Sequence, residues 1–382
     1  MTRYGEAIIL AGGFGTRLSH VVADVPKPMA PVVNRPFLSF LLDQLSDANF
    51  DHIVIADGYK REVIEDYFGD SYRGLRIEYS SEAEPLLTGG AVKQALSLCQ
   101  DEWVLVINGD SFFDIDLSKV LDQRTTSPDD ALALIAVKQL TNFDRYGAVE
   151  IAKDSRIARF KEKNTCPEGC INAGVYLVRR SALNAMPRVF SLEQDWFPAV
   201  AKKGELVALV LNGDFIDIGI PSDYEKAQCF FAERAQENNL ALFDRDGTIN
   251  VEIGYLHEPE KVILIESTVN KIRAFNELGW KVVVVSNQAG IARGIYSEND
   301  MRKTNLRIDA LLEERGAHVD AWYYCPHHPD YTGVCDCRKP AAGMIVRAMK
   351  EWGANPENCI MYGDSPCDEL AAKNAGIAFR KV

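Results

Sequence analysis

Leu240-Ala241-Leu242-Phe243-Asp244-Arg245-Asp246-Gly247-Thr248-Ile249-Asn250 decides how the second half of this chain is read. The four apolar residues make a short buried strand, and the two carboxylates that follow, one residue apart, project to the same side of its end. Open α/β sheets place their chemistry at the carboxyl ends of strands. A carboxylate there can attack phosphorus and carry a covalent aspartyl-phosphate. Mg²⁺ then neutralises the phosphate oxygens, and a second carboxylate handles the leaving-group proton. Asp244 is the candidate nucleophile and Asp246 the candidate acid/base. A solvated Asp-rich turn has the same local sequence, and three later segments separate the two readings.

The run Lys281-Val282-Val283-Val284-Val285 is a buried strand ending in Ser286-Asn287-Gln288, whose hydroxyl and amides suit a transferring phosphoryl group, as does Thr248. Arg338-Lys339-Pro340 supplies cations, with Lys339 placed to balance the phosphoryl-aspartate. Cys359-Ile360-Met361-Tyr362 is a further strand, ending in Gly363-Asp364-Ser365-Pro366-Cys367-Asp368. Asp244, Asp246 and Asp364 form the candidate Mg²⁺ set, supported by Asp368. Between these segments lie Cys325-Pro326-His327-His328 and Cys335-Asp336-Cys337, three thiols and two imidazoles within a short loop. Three thiolates and one imidazole can close a tetrahedral Zn²⁺ site.

The first half has its own strand-end loop. Ala7-Ile8-Ile9-Leu10 empties into Ala11-Gly12-Gly13-Phe14-Gly15-Thr16-Arg17-Leu18, where glycines let backbone N–H groups approach phosphates and Arg17 adds a fixed positive fork. Lys27, between Pro26 and Pro28, is a second cation. Without Gly-Lys-Ser/Thr the loop is not a Walker motif, nor is it a good dinucleotide fingerprint. Strands and helices then alternate: helix 36–48, strand 52–56, helix 60–68, strand 75–79, helix 91–98 entered from Thr88-Gly89-Gly90, and strand 103–107 ending in Asn108-Gly109-Asp110. This is the repeating unit of a doubly wound, mostly parallel sheet, and Asp110 sits where a Mg²⁺ ligand belongs. A helix over 222–236 and the polar break Glu237-Asn238-Asn239 separate the halves, giving expected domains 1–236 and 237–382.

Two domains also fit a length of 382 residues. A hydrophobic content of 47% and a charged content of 25% are those of a globular protein. The formal charge of -13 argues against nucleic acid or an anionic membrane as partner. The N-terminus lacks a signal-peptide profile and no apolar run reaches the roughly 18 residues of a membrane span, so a cytoplasmic protein is expected. In that compartment the nine cysteines are not expected to form disulfides.

Residues 7 to about 230 resemble sugar-1-phosphate nucleotidyltransferases, and most of all D-glycero-D-manno-heptose 1-phosphate guanylyltransferases. The likeness rests on the segments 10–18 and 26–29, Asn108 to Asp110, Asp144-Arg145-Tyr146-Gly147, Phe160-Lys161-Glu162-Lys163, Ile171 to Tyr176, and Phe215-Ile216-Asp217-Ile218-Gly219. It implies that Gly12, Gly13, Gly15, Thr16, Arg17 and Lys27 hold a triphosphate, that Asp110 and Asp217 share Mg²⁺, and that Lys163 holds the sugar phosphate. Gly147, Glu162 and Asn172 would line the sugar site, with Thr88, Gly89 and Asn108 in the substrate pocket. GTP is the implied nucleotide. Where that family has Leu-Gly-Thr-Gly-Gly-Ala, this chain has Leu86-Leu87-Thr88-Gly89-Gly90-Ala91, placing Leu87 near the base pocket.

The second half resembles haloacid dehalogenase-type phosphatases. Its Cys-x-His and Cys-x-Cys pairs, Gly254-Tyr255-Leu256-His257 and Asn287 to Gly294 are similar to heptose-1,7-bisphosphate phosphatases and the related histidinol-phosphate phosphatases. That likeness selects Cys325, His327, Cys335 and Cys337 as ligands of a structural zinc, and Arg293 for a distal phosphate beside Arg338. Together the two likenesses imply two doubly wound domains, the first Rossmann-like and the second haloacid dehalogenase-like with a zinc loop and no large cap. A bifunctional enzyme of nucleotide-activated heptose synthesis follows, acting on heptose phosphates and a nucleoside triphosphate, with no nucleic-acid or membrane partner. Its oligomeric state stays open. So do a transferase for another sugar joined to a histidinol-phosphate-like phosphatase, and an inactive regulatory second half.

Overall fold

The structure is a computed structural model that describes residues 5–13, 25–33, 35–144, 147–163, 166–234 and 238–382, without the side chains of Glu162 and Lys163. Gly15, Thr16 and Arg17 therefore lie outside the described residues. The chain divides into two compact units, one running through Arg234 and the other to Val382.

In the N-terminal unit, β1 (Glu6–Leu10), β2 (His52–Asp57), β3 (Leu75–Ser81) and β4 (Trp103–Asn108) pair in parallel in the order β4-β1-β2-β3. Their side chains alternate between two cores. Ala7 and Ile9 of β1 face α1 (Phe37–Asp47) and α2 (Arg61–Phe68), whereas Ile8 faces α3 (Leu87–Ala95) and α4 (Phe197–Lys203). Burial on both faces explains the uninterrupted apolar runs.

The sheet then departs from pure doubly wound winding. After β5 (Ser111–Phe113) come β6 (Ala133–Phe143), β7 (Gly147–Ile151), β8 (Ile157–Lys163) and β9 (Cys166–Arg179). β9 pairs antiparallel with β4, β6 and β7, and β7 with β8. Connections this short cannot carry a parallel crossover, so the extension must be antiparallel. β10 (Leu206–Val210) lies parallel to β6, and β11 (Phe215–Asp217) pairs antiparallel with β5. The unit closes with α5 (Pro221–Arg234), whose Phe231 stacks on Phe40 at 3.9 Å between ring centroids. One helix differs from expectation: α3 begins at Leu87, and Leu96–Leu98 is a 3₁₀ turn. Glycine is tolerated inside its first turn because a Cβ at Gly89 would lie 2.2 Å from the Phe190 ring.

The C-terminal unit is a five-stranded, wholly parallel sheet. Its strands are β12 (Leu240–Phe243), β13 (Lys281–Asn287), β14 (Ala321–Cys325), β15 (Cys359–Gly363) and β16 (Ala378–Lys381), in the order β14-β13-β12-β15-β16. Ala241 and Phe243 face α6 (Glu266–Glu277) and α7 (Glu298–Glu313), while Leu240 and Leu242 face α8 (Gly343–Trp352) and α9 (Pro366–Ala375). Val282 to Val285 are all fully buried, each worth about 1.5–3 kcal/mol of apolar transfer. Among the described residues, the segment between Phe243 and Glu266 has the turn Pro259–Lys261 as its only helical element and forms no large cap of its own.

Candidate active sites

At the C-terminal unit's strand ends, parallel register brings two distant segments together. Asp244 follows β12, Asp364 follows β15, and Asp368 sits in the first turn of α9, with carboxylate oxygens all within 4.8 Å of one another. Gly247 makes the approach feasible: its φ is +76°, and a Cβ there would lie 2.3 Å from Asp364 Oδ2. Lys339 reaches the same point. It is 3% exposed, and its Nζ lies 2.8 Å from Asp244 Oδ1 and 2.6 Å from Asp368 Oδ1. Burial works against the Lys339 charge, but the Asp244 and Asp368 carboxylates outweigh it and raise its pKa. Burial pushes Asp244 up to about 6, with Lys339 opposing and Asp368 adding to the shift. Either charge alone would be costly at this depth, so the cluster stands only as a set.

Asp246 lies outside this trio. Its carboxylate accepts from Arg245 Nη2 at 2.9 Å, Asn250 Nδ2 at 3.0 Å and Gln288 Nε2 at 3.2 Å. Gln288 also donates to Ser286 Oγ at 2.7 Å and accepts from the Tyr296 hydroxyl at 2.6 Å. Asn287 exchanges two 3.0 Å hydrogen bonds with the Lys339 backbone, so it positions the lysine segment. Thr248 is fully buried, with no hydrogen-bond partner for its hydroxyl among the described residues. Arg245 carries no sequence signal between two aspartates, yet it is 1% exposed and also donates to the Leu256 carbonyl and Asn305. Only the tertiary fold reveals it and Tyr296.

The loop after β14 gathers the thiols. Cys325 and Cys335 Sγ are 3.6 Å apart, Cys337 Sγ is 3.2 Å from Cys325 and 3.4 Å from Cys335, and His327 Nδ1 is 3.4 Å from Cys337. A tetrahedron with bonds of about 2.3 Å has edges of about 3.8 Å, so this group could hold a metal ion. His328 points elsewhere, accepting from Arg293 Nη2 at 3.0 Å. Arg293 also lies 5.8 Å from the Tyr255 ring and 5.4 Å from the Tyr331 ring. Arg338 donates to the His327 carbonyl at 3.2 Å and so clips the thiol loop to the lysine segment.

In the N-terminal unit, the pairing of Asp217 with Ser111 carries Asp217 to the end of β4 beside Asp110. Lys27 Nζ lies 2.5 Å from Asp110 Oδ2 and 3.8 Å from Asp217 Oδ1, and Gly219 N–H donates to that same Asp217 oxygen at 2.7 Å. Two carboxylates thus converge on one positive charge. A register shift in β9 between Asn172 and Tyr176 turns Asn172 toward the buried Tyr176 hydroxyl, which it reaches at 3.1 Å, while Asn108 lies 3.5 Å away. Tyr176 closes the Ile171 to Tyr176 segment of the family likeness, but nothing in the sequence marks its hydroxyl as the partner of Asn172 and Asn108. Gly147 pairs with Lys163 across β7 and β8. Thr88 is engaged by the chain after residue 190: its hydroxyl donates to Glu193 at 2.6 Å and accepts from Leu192 N–H at 3.0 Å. Gly89 packs against Phe190. Gly12 and Gly13 sit just beyond the end of β1, with Gly12 against Glu82 and Gly58.

Comparison with known proteins finds one family in each half of the chain, the two matches overlapping over residues 224–234. Residues 6–234 match the nucleotidyl transferase family, and residues 224–376 match the haloacid dehalogenase-like hydrolase family. The D-glycero-alpha-D-manno-heptose 1-phosphate guanylyltransferase of Aneurinibacillus thermoaerophilus is 44% identical over 225 residues, covering 58% of this chain and 96% of that protein. The D-glycero-beta-D-manno-heptose-1,7-bisphosphate 7-phosphatase of Pasteurella multocida (strain Pm70) is 41% identical over 142 residues, covering 36% of this chain and 77% of that protein. The crystal structure of HddC from Yersinia pseudotuberculosis complexed with GMP-PN superimposes with a TM-score of 0.53 at 33% identity, covering 59% of this chain and 99% of that one.

Proposed function

Since the chain belongs to the nucleotidyl transferase family over residues 6–234 and carries a haloacid dehalogenase-like hydrolase domain behind it, we propose that it catalyses two consecutive steps of heptose activation. The division falls between residues 236 and 237. The C-terminal domain removes the C7 phosphate of D-glycero-D-manno-heptose 1,7-bisphosphate, and the N-terminal domain transfers GMP from GTP to the resulting 1-phosphate, releasing pyrophosphate. The observation that carries this reading is that both halves hold a charged strand-end centre, and the named reactions of their relatives would be consecutive but for the anomer of the heptose 1-phosphate between them.

In the phosphatase domain the Asp244 carboxylate attacks phosphorus while Asp246 donates a proton to the departing C7 oxygen. Water then attacks the aspartyl-phosphate, Asp246 takes its proton, and inorganic phosphate leaves. Lys339 holds Asp244 in line and balances the phosphoryl charge. Asp244, Asp364 and Asp368 fit a Mg²⁺ ion by their mutual reach, and such an ion supplies charge neutralisation at the phosphoryl oxygens. The Cys325, His327, Cys335 and Cys337 set fits a structural Zn²⁺ that pins the segment leading into Arg338 and Lys339. In the transferase domain the heptose phosphate oxygen attacks the α-phosphorus. Asp110 and Asp217 converge on one cation and so fit a shared Mg²⁺, and Lys27 lowers the repulsion between the two anions. These chemistries need nucleoside triphosphate and reduced thiols, which points to the cytoplasm.

The two relatives act on opposite anomers, and one intermediate requires one configuration. Transfer occurs at the C1 phosphate itself, whereas dephosphorylation occurs at C7, so the α anomer of the transferase relative sets the pathway here. The test supplies α- or β-heptose 1,7-bisphosphate with Mg²⁺ and each of the four nucleoside triphosphates, following phosphate and pyrophosphate separately. Phosphate release from the α anomer, followed by GTP-dependent pyrophosphate release, is expected. Turnover of histidinol phosphate but of neither bisphosphate would overturn the reading.

A further inference from the structure

Tyr296 lies between β13 and α7 and is 7% exposed. The chain makes room for its ring: a Cβ at Gly290 would lie 2.1 Å from it, and the His257 ring stacks on it at 5.1 Å with an interplanar angle of 13°. Packing alone would be served equally well by phenylalanine. The hydroxyl is the difference, and it lies 2.6 Å from Oε1 of Gln288, a residue only 1% exposed. Burial pushes this hydroxyl up to about 12, so it keeps its proton and acts as a donor.

A primary amide has two ends of similar shape and opposite hydrogen-bonding sense, and in a buried site its neighbours decide which end faces where. The Gln288 amide nitrogen lies 3.2 Å from Asp246 Oδ2 and 2.7 Å from Ser286 Oγ. An ionised carboxylate only accepts, so a rotated amide would set oxygen against oxygen beside Asp246. Tyr296 secures the other end by donating to Oε1. Both amide hydrogens are thereby committed, one to Asp246 and one to Ser286. Ser286 accepts in this pair, and its own proton has no acceptor among the described residues, which leaves that proton for a phosphoryl oxygen. We infer that Tyr296 is a positioning residue of the phosphatase centre: through the Gln288 amide it orients the Asp246 carboxylate and sets Ser286 as a donor. The assignment rests on the proposed aspartyl-phosphate chemistry, in which Asp246 gives a proton in the first step and takes one in the second.

The test is a double-mutant cycle on the full chain, following phosphate release from heptose 1,7-bisphosphate with Mg²⁺. Tyr296→Phe keeps the ring and is expected to lower kcat about 10-fold, the worth of leaving one buried carbonyl unpaired, with KM within about twofold of wild type. Gln288→Met keeps the shape without either end of the amide and should lower kcat at least as much. Because Tyr296 acts only through that amide, adding Tyr296→Phe to Gln288→Met should change kcat by less than about twofold. A second loss of about 10-fold in the double variant overturns the assignment, since the hydroxyl would then act on its own. So does a Tyr296→Phe protein whose kcat equals wild type, or whose KM alone rises, which would make the hydroxyl a substrate contact. If Tyr296→Phe by itself fails to fold, the comparison of Gln288→Met with the double variant decides: equal kcat supports the assignment and a lower one overturns it. Release by wild type from 4-nitrophenyl phosphate but not from the bisphosphate defeats only the proposed substrate, and the cycle is then read on that ester. No release from either compound defeats the phosphatase reading and this assignment with it.

Discussion

The phosphatase centre holds a buried lysine and aspartate among its charges, whereas the transferase centre is a converging pair of carboxylates bridged by one lysine. Lys339 is 3% exposed between Asp244 and Asp368, and an inner ring of Arg245, Gln288 and Asn250 holds Asp246. In the other unit the side chain of Asp110 is 43% exposed and that of Asp217 28%. The proposed reactions account for the difference through where the nucleophile resides. An aspartyl-phosphate mechanism puts it on the protein, so its charge, orientation and acid/base partner must be built in before substrate arrives. Nucleotidyl transfer joins two bound substrates, and the protein has only to hold them in line and screen their charges.

The sharpest way to break this contrast is to remove the proposed nucleophile. Asp244→Asn preserves shape and should lower phosphatase turnover by at least about 10⁴-fold, roughly 5.5 kcal/mol of barrier, with nucleotidyl transfer to heptose 1-phosphate intact. Asp110→Ala or Asp217→Ala should do the reverse, abolishing transfer and sparing phosphate release. Rapid phosphatase turnover in Asp244→Asn, or loss of both activities in any of the three, would show that the centres are not separate. The same Asp244→Asn protein fixes the order of steps. Given the bisphosphate and GTP, it should release pyrophosphate only after an added phosphatase trims C7, because two extra negative charges at the far end of the sugar would meet an acidic domain.

How much of each centre could be read from sequence tracks the same contrast. The C-terminal motifs stand at strand ends in a wholly parallel sheet, where apolar runs are uninterrupted and each is followed by its functional residues. Asp244, Asp364, Lys339 and the thiol group were therefore visible as separate strand-end signals, although their convergence was not. Arg245 stayed hidden because its burial comes from Asn305 and the Leu256 carbonyl, far along the chain. In the N-terminal unit the alternating pattern identified β1 to β4 but not the antiparallel extension. The register shift in β9 that turns Asn172 toward Tyr176, and the β5–β11 pairing that carries Asp217 to Asp110, leave no periodic signal.

A smaller effect tests whether the thiol group is scaffolding for the lysine segment. Arg338 ties the His327 carbonyl to the residue preceding Lys339, so loss of the metal should loosen Lys339 without touching the transferase. Cys335→Ser is expected to lower zinc content and thermal stability of the phosphatase domain, with residual activity falling through kcat more than KM. Brief chelation followed by Mg²⁺ should restore wild type, since a thiolate-rich zinc site is held by about 10–16 kcal/mol in comparable peptides. Wild-type protein purified without chelator and found free of zinc by elemental analysis would defeat the assignment.

The smallest expected effect contrasts two buried carboxylates with opposite shifts. Asp244 is pushed up to about 6, mainly by burial, with Lys339 opposing the shift. Glu6, at the opposite end of β1 from the glycine turn, is buried too, yet its pKa is lowered. Burial alone would raise it, but the Asp101 N–H at 2.7 Å, the His52 ring at 2.6 Å and the Gln100 N–H outweigh that cost. A carboxyl whose folded pKa lies below its unfolded value of about 4.3 stabilises the fold fully above that value. The contribution is lost as pH falls through the folded pKa. Glu6→Gln should therefore cost about 1–3 kcal/mol at neutral pH, lowering the transferase transition by several degrees and leaving the phosphatase transition in place. Below the ordinary carboxylate range the two proteins should melt together. A gap that persists unchanged into acid would mean that Glu6 acts through packing and neutral hydrogen bonds, and the electrostatic distinction between the two buried carboxylates would fall.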